Sequence, residues 1–380
     1  MSKDHPTSVA FVGLAAQADR LRMRVDAALG AVLDHRQYVM GPEVSVLEQK
    51  LADRGGAAEA VAVASGTDAL VMALMAEGIG PGDAVLVPSF TFTATAEVAL
   101  LVGATPIFVD VDERSFNVDP ESVEQALVAA RRAQRLEPRA LIAVDLFGRP
   151  ADYGALAEIA KREGLVLIDD AAQGFGGSLD GRPVGSLAPI TTTSFFPAKP
   201  LGGYGDGGAI LTDDAARARR LRSIRQHGEG EDRYEIVRVG LNGRLDTFQA
   251  AVLLVKLEVF DQELEARDRV AAAYQERLAD VVVCPQIPPG VRSSWAQYTI
   301  QVEERDRVRA ALAADGVPTA IYYPRPMHLQ TAYLSYGDGP GSLPRSERLC
   351  QRVLSLPMHP YLAPEQIDHV CAAVLGAVGA

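Results

Sequence analysis

The sequence predicts an α/β fold with a large unit built on a mostly parallel sheet and a small α+β unit at the carboxyl end. Two observations predict it. Short apolar runs alternate with helix-length amphipathic segments through the first half of the chain, which is typical of strands and covering helices in a parallel sheet. After GAILTDD this alternation stops, and a long helical stretch leads into a region of mixed pattern. The change of pattern indicates a second unit.

The elements of the large unit follow from their patterns. Apolar runs of about four to eight residues bounded by turn signals predict buried strands, and longer amphipathic runs predict helices. The strand and helix pairs, in chain order, are AVAVA with TDALVMALMAEG, AVLVPSF with TATAEVALLVG, PIFVDVD with ESVEQALVAARRA, and LIAVDLFG with YGALAEIAKREG, followed by the strands LVLIDD, ITTTSFF and GAILTDD.

The second unit begins within a helical stretch. From Leu245 to about Leu278 the apolar residues recur near helical spacing, which predicts one long helix or two abutting ones. Beyond it, YTIQVE, a helix around residues 304–315 and VPTAIYY predict a smaller α+β unit closed by terminal helices. We place the boundary near residue 256, which gives a large domain over residues 1–255 and a small domain over residues 256–380.

Composition limits the classes of function. The net charge of −12 argues against a general attraction to nucleic acid or anionic membrane, since both require accumulated basic residues. The start MSKDHPTSVAFVGLAAQADR lacks the features of a secretory signal, and no segment is apolar enough to span a membrane, so we expect a cytoplasmic protein. Cys284, Cys350 and Cys371 lack CxxC spacing and are odd in number, which predicts neither disulfides nor a metal site.

One lysine occupies an unusual frame in TTTSFFPAKPLGGYGDGGAIL. Lys199 lies between Pro197 and Pro200, after an aromatic pair and before a run of glycines. A loop lysine is usually a solvated charge, but partial burial lowers the pKa of an amine and frees its lone pair for attack. The glycine run contains GxGxxG, yet it leads into a strand instead of opening a helix, so it does not indicate a dinucleotide site. The glycines instead suggest a turn that approaches a ligand or a neighbouring backbone closely.

Two further segments follow strands. Ser65, Gly66 and Thr67 lie between the strand AVAVA and a helix, where free amides and the helix dipole attract an anion such as phosphate; an ordinary helix cap explains them equally well. Asp169 and Asp170 end the strand LVLIDD at the edge where α/β sheets bind ligands. Adjacent strand residues point to opposite faces, so one of the two acids at most faces a site, and both could simply cap the next segment.

Taken together these residues indicate a cofactor. A reactive amine, a carboxylate at a strand end and a phosphate-sized helix terminus are the groups that hold pyridoxal 5′-phosphate (PLP), with the carboxylate keeping the ring nitrogen protonated. The segments SGTDAL, LIDDAAQGFGG, TTSFFPAKPLGGYGDGGAI and VGLNGRLDTFQAAVLLVKL resemble the PLP-dependent sugar aminotransferases of the DegT/DnrJ/EryC1/StrS family. The resemblance runs from about QYVMGPEV to SLPMHPYL, and it implies fold type I with a seven-stranded, mostly parallel sheet.

The resemblance also implies roles for individual residues. Lys199 would bond to PLP and then carry a proton between substrate and cofactor, and Asp170 would pair with the ring nitrogen. Gln173 would bind the phenolic oxygen, and Phe92 would stack on the ring. The phosphate would be held by Gly66, Thr67, Ser194 and, from the neighbouring subunit of a homodimer with shared active sites, Asn242.

The resemblance further suggests a reaction and a substrate. Relatives that dehydrate sugars carry histidine at the lysine position, so Lys199 argues for transamination. The sequence is most similar to those of enzymes that aminate C3 of UDP-2-acetamido-2-deoxy-3-oxo-glucuronate with L-glutamate. The resemblance therefore suggests amino-sugar biosynthesis for polysaccharide or a glycosylated natural product. Enzymes for dTDP-3-keto-6-deoxyhexoses are the alternative, and a non-catalytic regulatory or binding protein is the alternative from another class.

The expected sugar pocket departs from the uronate pattern. Such relatives tend to show His-Tyr-Pro where this chain has Tyr322 and Tyr323 before a proline. A histidine can become a cation and pair with a carboxylate, whereas tyrosine donates one neutral hydrogen bond. Arg244 could compensate by binding a carboxylate with two parallel hydrogen bonds, and His328 is a further pocket candidate, although loop histidines are often simply solvated.

Overall fold

A computed structural model describes residues 8–232 and 234–379. The amino-terminal residues 1–7, which entered the argument against a secretory signal, lie outside the described residues. Within the described chain the strands are β1 (Glu59–Val63), β2 (Asp83–Pro88), β3 (Thr105–Val109), β4 (Glu137–Val144), β5 (Val166–Asp170), β6 (Ser178–Leu179), β7 (Arg182–Pro183), β8 (Ile190–Ser194), β9 (Gly208–Thr212), β10 (Val291–Arg292), β11 (Tyr298–Gln301) and β12 (Val353–Leu356).

The central sheet has seven strands in the order β1-β9-β8-β5-β4-β2-β3. Strand β9 is antiparallel to both of its neighbours, and the other pairings are parallel. The strands are buried along almost their whole length because helices cover both faces of the sheet. The prediction of a mostly parallel seven-stranded sheet is therefore confirmed. The carboxyl ends of the parallel strands meet at one edge, which is where this architecture binds ligands.

The described chain forms α1 and α2 before the sheet, α3 to α6 between its strands and α7 to α12 after it. Apolar residues of α3, α4 and α7 pack in one core against the sheet, and those of α5 and α6 pack in another. The bounds are α1 (Leu14–His35), α2 (Pro42–Gly55), α3 (Gly66–Ala76), α4 (Ala94–Leu101), α5 (Pro120–Ala133), α6 (Tyr153–Glu163), α7 (Ala215–Arg225), α8 (Thr247–Leu257), α9 (Phe260–Leu278), α10 (Arg305–Ala314), α11 (Pro344–Arg352) and α12 (Pro364–Gly379).

The helical stretch from Leu245 is two abutting helices, α8 and α9, which meet at Glu258 and Val259. Helix α8 packs against α2 and α1, whereas α9 shares a core with α10, α12 and the pair β11–β12. The first turns of α9 still pack in the core of the large unit through Phe260 and Leu264, so the change of partners falls within α9. The division into residues 1–255 and 256–380 stays a prediction.

The carboxyl-terminal unit differs from the sequence prediction in one strand. The segment VPTAIYY makes a single isolated bridge, from Ala320 to Ser355, instead of a strand. The partner of β11 is β12, which pairs with it antiparallel. Pro318 lacks an amide hydrogen to donate, which disfavours a continuous ladder in that segment.

Two expectations from composition concern the whole chain. Cys284, Cys350 and Cys371 are all buried free thiols. Among the described helices, none has a stretch of sufficient length and hydropathy to traverse a bilayer.

Candidate active site

A cavity of about 460 Å³ opens at the carboxyl edge of the parallel strands. Its walls come from the turn after β1, the ends of β5 and β8, the loop carrying Lys199 and a segment between α10 and α11. Of the residues predicted for the site, the cavity brings together Gly66, Thr67, Phe92, Asp170, Gln173, Ser194, Lys199, Tyr322 and Tyr323.

Lys199 enters the cavity from the loop between β8 and β9. Its backbone amide donates to the Phe196 carbonyl oxygen at 2.9 Å, which closes the turn that the flanking prolines stiffen. The glycines that follow lead into β9 as expected, and a Cβ on Gly208 would lie 2.5 Å from the Ser65 carbonyl oxygen. Burial lowers the pKa of the Lys199 amine, and the charge of Asp170 opposes that shift. The neutral, nucleophilic form of the amine is thereby favoured.

Asp170 is the acid of β5 that faces the cavity. Its Oδ2 accepts a hydrogen bond from Thr95 Oγ1 at 2.9 Å, and its Oδ1 accepts from the Ala172 amide at 3.2 Å. Burial raises the pKa of Asp170, while these two donors and the charge of Lys199 lower it. The carboxylate is therefore held in place by donors and lies in the field of the amine, as an anion that supports a cationic ring requires.

The turn after β1 forms the helix cap, and its position leaves the phosphate-binding alternative open. Ser65 caps α3, since its hydroxyl accepts from the Asp68 amide at 3.0 Å. Gly66 and Thr67 also line the cavity at the amino end of that helix, where free amides favour an anion. A Cβ on Gly66 would lie 2.7 Å from Ser194 Cβ, so only glycine lets Ser194 approach this closely.

The opposite wall supplies an apolar face and an amide. The Phe92 side chain is 54% exposed and forms part of the cavity wall, with its ring centroid 6.4 Å from that of Tyr323. Gln173 Oε1 accepts from the Phe147 amide at 2.5 Å, which orients the side-chain amide and leaves its NH₂ group to donate. Burial and the charge of Asp170 raise the pKa of the Tyr323 hydroxyl, opposed by a hydrogen bond with Gln173.

Three predicted residues lie outside this cavity. His328 is 1% exposed, and its ring nitrogens contact Ser89 Oγ at 2.6 Å and Glu347 Oε1 at 3.2 Å. Asn242 is exposed and Arg244 half-buried on the segment beside the end of β1. The structure thus places His328 in a buried polar cluster, and Asn242 and Arg244 are not part of the lining of their own chain's cavity. The site roles of all three stay predictions.

Sequence reasoning missed several cavity residues. Thr95 supports Asp170 although 75 positions separate them, and Thr91 bonds to Thr95 at 3.1 Å. Gln297 and Asp206 also line the cavity. The run TFTAT after a strand was a local signal for Thr91 and Thr95, because polar side chains just beyond a strand lie at the ligand-binding edge. No comparable pattern surrounds Gln297.

The residues present fit PLP. The amine of Lys199 and the carboxylate of Asp170 occupy one cavity, Gly66 leaves room at a helix terminus for a phosphate, and the Phe92 ring offers a face for stacking. These are the groups that a PLP enzyme uses to bind the cofactor covalently, to anchor its phosphate and to tune its ring. The fold and the site therefore define a PLP-dependent enzyme.

The comparisons with known proteins give the family. The sequence matches the DegT/DnrJ/EryC1/StrS aminotransferase family over residues 20–375, so the chain belongs to it and is a PLP-dependent aminotransferase. It is 45% identical to a UDP-2-acetamido-2-deoxy-3-oxo-D-glucuronate aminotransferase of Pseudomonas aeruginosa, over 96% of this chain and 99% of that one.

Two other relatives extend the comparison. The chain is 40% identical to a dTDP-3-amino-3,4,6-trideoxy-alpha-D-glucose transaminase of Streptomyces venezuelae, over 98% of this chain and 97% of that one. The crystal structure of a DegT/DnrJ/EryC1/StrS aminotransferase from Brucella abortus superposes with a TM-score of 0.96 at 52% identity, covering 98% of this chain and all of that one. The fold-type prediction is confirmed, and so is the family.

Proposed function

We propose that the enzyme transfers an amino group from L-glutamate to C3 of UDP-2-acetamido-2-deoxy-3-oxo-glucuronate in amino-sugar biosynthesis. The observation that carries amino transfer is the Lys199 amine in one cavity with the Asp170 carboxylate. The uronate is supported by the 45% identity to the Pseudomonas aeruginosa enzyme over nearly the whole of both chains. Bound PLP supplies an electron sink that allows an amino group to leave one substrate and join another.

Each residue has a proposed role. Burial lowers the pKa of Lys199, so its amine would bind the cofactor covalently and, when free, would move a proton to or from the substrate carbon. The Asp170 carboxylate, which Thr95 and the Ala172 amide orient, would pair with the protonated ring nitrogen. Phe92 would stack on the ring, and Gln173 would bind its phenolic oxygen.

A second substrate has an observation in its favour. Tyr322 lines the cavity where a uronate enzyme is expected to present a histidine, and burial raises the pKa of its hydroxyl, which keeps it neutral. A neutral donor suits a sugar without a carboxylate as well as one with it. A dTDP-3-keto-6-deoxyhexose is therefore the alternative acceptor, in line with the 40% identity to the Streptomyces venezuelae enzyme.

A homodimer with shared active sites is part of the proposal. Apolar side chains are exposed at Phe92 and Phe196 in the cavity wall and on the loops that carry Tyr204 and residues 236–239, which is unusual for a surface in contact with water. In the described part of the chain Arg244 has no ion-pair partner, and its Nε is buried without a hydrogen bond. Arg244 and Asn242 would serve the partner's site, as carboxylate and phosphate ligands respectively. The exposed apolar residues are Phe92, Phe196, Tyr204, Ile236, Val237 and Val239.

The cytoplasmic location stays a prediction. A non-catalytic regulatory protein is disfavoured because the complete set of Lys199, Asp170, Gln173 and Phe92 lines one cavity. The substrate is tested in the reverse direction, which needs no unstable keto sugar. PLP-loaded protein and 2-oxoglutarate are incubated with single nucleotide amino sugars, and glutamate formation is measured.

The two candidate acceptor sugars lead to different expected results in this assay. Activity with the UDP-linked 3-amino uronate and none with a dTDP-3-amino-6-deoxyhexose supports the proposal. The reverse preference would replace the uronate by the deoxyhexose. Turnover of neither would refute both substrates, without bearing on the cofactor chemistry.

A further inference from the structure

Asp169 is the acid of the pair in LVLIDD that the proposed chemistry does not use. It points to the opposite face of β5 from Asp170, where it is 0% exposed. Asp145, just after β4, is also 0% exposed, and the buried Tyr153 of α6 lies between the two acids. We call Asp145, Tyr153 and Asp169 the rear acid cluster.

The hydrogen bonds of the rear acid cluster are incomplete. Asp145 Oδ1 accepts from the Ala151 amide and from the Tyr153 hydroxyl, both at 2.9 Å, but Asp145 Oδ2 is buried without a partner. Asp169 Oδ2 accepts from Thr191 Oγ1 at 3.2 Å, and Asp169 Oδ1 is also buried without a partner. A buried carboxylate oxygen without a donor is costly, so one oxygen or more in this cluster is expected to carry a proton.

Among the described residues, no cation compensates these acids. Within residues 8–232 and 234–379, neither Asp145 nor Asp169 forms an ion pair within 4.0 Å. The charged groups that face them are each other, Tyr153 and Asp170. Burial raises the pKa of Asp145 to about 7, although the Ala151 amide and Tyr153 oppose it, and burial together with the charge of Asp145 raises the pKa of Asp169 well above its usual value.

The unpartnered oxygens show where a proton is needed. The Tyr153 hydroxyl donates its single proton to Asp145 Oδ1, so it has no second proton to donate to Asp169 Oδ1. Asp145 therefore has two donors and Asp169 has one, and a neutral carboxyl group is less costly to bury without donors than an ionised one. We infer that Asp145 and Asp169 hold one proton between them near neutral pH, with Asp145 as the carboxylate and Asp169 as the carboxylic acid.

The proton shared by the rear acid cluster helps to keep Asp170 ionised. The Asp145 amide donates to the Asp170 carbonyl oxygen at 3.1 Å, and Gly174, next to Gln173, packs directly on the Asp145 carboxyl group. If both rear acids were ionised, three carboxylates would lie close together and repulsion would favour protonation of Asp170. With one proton retained, Asp170 stays the anion that faces the cavity. Asp145 and Asp169 are thus positioning residues.

The test is the pH dependence of thermal stability in the PLP-loaded protein. A folded-state pKa above the unfolded value near 4 stabilises the protein at low pH, and that stabilisation is lost as pH rises through about 7. The double variant Asp145→Asn/Asp169→Asn cannot titrate there. Its melting temperature relative to wild type should rise by a few degrees between about pH 5 and about pH 8.

A matched control is Asp110→Asn, which buries an amide in place of an acid that accepts from Ser346 and Arg345. The melting temperature of Asp110→Asn relative to wild type should not rise between about pH 5 and about pH 8. If the melting temperature of the double variant relative to wild type stays constant or falls over that range, the inference is overturned. The melting curves do not depend on the sugar, so this result and the substrate proposal fail separately.

A second measurement covers the case in which the double variant does not fold. Asp169→Asn replaces the protonated acid by a neutral group of nearly the same shape. At about pH 8, ordinary surface carboxyl groups are ionised, so infrared absorption from a protonated carboxylic acid reports a buried proton. Wild type should show this carbonyl absorption and Asp169→Asn should lose it. Its absence from wild type would contradict the shared proton.

Discussion

The cavity has two ends that are built differently. The cofactor end is formed by residues at the carboxyl ends of three strands of one sheet: Gly66 after β1, Asp170 at the end of β5 and Ser194 at the end of β8. The sugar end is formed by Tyr322 and Tyr323, which belong to no strand. That segment is fixed to the sheet edge through the Met327 amide, which donates to the Ser89 carbonyl oxygen at 2.7 Å.

The difference indicates that the cofactor end determines the chemistry and the sugar end determines the substrate. Strand ends in a covered sheet are held by main-chain hydrogen bonds on both sides, so they fix the groups that perform chemistry. A loop segment can change side chains without disturbing the sheet, so it is suited to determine the substrate. We therefore expect substitutions at the cofactor end to affect every substrate, and those at the sugar end to affect the sugar alone.

The largest effect is expected for Lys199→Ala. Removal of the amine abolishes both the covalent attachment of PLP and proton transfer at the substrate carbon, so amino transfer should fall by at least about 10³-fold. The measurement is the amount of 2-oxoglutarate formed from glutamate, together with the visible band of bound PLP. Lys161→Ala, an exposed lysine of α6, is the matched control. Turnover within tenfold of wild type would remove Lys199 from the mechanism.

A smaller effect at the same end is expected for Gly66→Ala. The added Cβ would lie 2.7 Å from Ser194 Cβ, in the turn proposed to hold the phosphate. Overpacking of this kind costs about 1–3 kcal/mol, so the affinity for PLP should fall by roughly 5-fold to 150-fold. Titration of the cofactor-free protein with PLP measures it. Gly30→Ala in α1, where a Cβ meets nothing within 4 Å, should leave the affinity unchanged. Equal affinities would place the phosphate elsewhere.

Thr95→Val tests the support of Asp170. The change removes the donor to Asp170 Oδ2 and keeps the side-chain shape, which raises the proton affinity of the carboxyl group. A hydrogen bond to a charged group contributes about 1.5–3 kcal/mol, so kcat/KM for glutamate should fall by about tenfold or more. Thr299→Val removes a buried hydrogen bond to Ser355 far from the cavity and serves as control. If both variants lose activity equally, the effect is one of stability.

The smallest effect on chemistry is expected at the sugar end. Tyr322→His should leave the reaction with glutamate within about threefold of wild type and shift the preference between nucleotide sugars toward the uronate, because a histidine can pair with a carboxylate. Tyr322→Phe is the matched control that loses only the hydroxyl. The comparison is the ratio of kcat/KM values for the two nucleotide amino sugars. An unchanged ratio in Tyr322→His would show that this end does not select the substrate.

The sequence could predict the residues that follow strands, but it could not predict the contacts between separate segments. Lys199, Asp170 and the turn at Gly66 follow strands, so their convergence could be inferred from the alternation of strands and helices. The hydrogen bonds from Thr95 to Asp170 and from Thr191 to Asp169 depend on tertiary packing between separate segments. No local pattern encodes such contacts.

Tertiary packing also explains where the structure departs from the pattern. The segment VPTAIYY makes only an isolated bridge, while β11 pairs with β12, which lies far away in the chain. The burial of His328 against Ser89 depends on residues 239 positions apart. Periodicity reports which residues are buried within an element, but it does not report the partner.

The central claim is that the cofactor end performs amino transfer. The most direct test adds L-glutamate to PLP-loaded wild-type protein, without any sugar, and follows the visible band of the cofactor while 2-oxoglutarate is measured. The account predicts loss of the band and one 2-oxoglutarate per bound PLP. A band that persists at saturating glutamate, in protein that still binds a nucleotide sugar, would contradict the account and indicate a binding protein that keeps the fold without glutamate-dependent turnover.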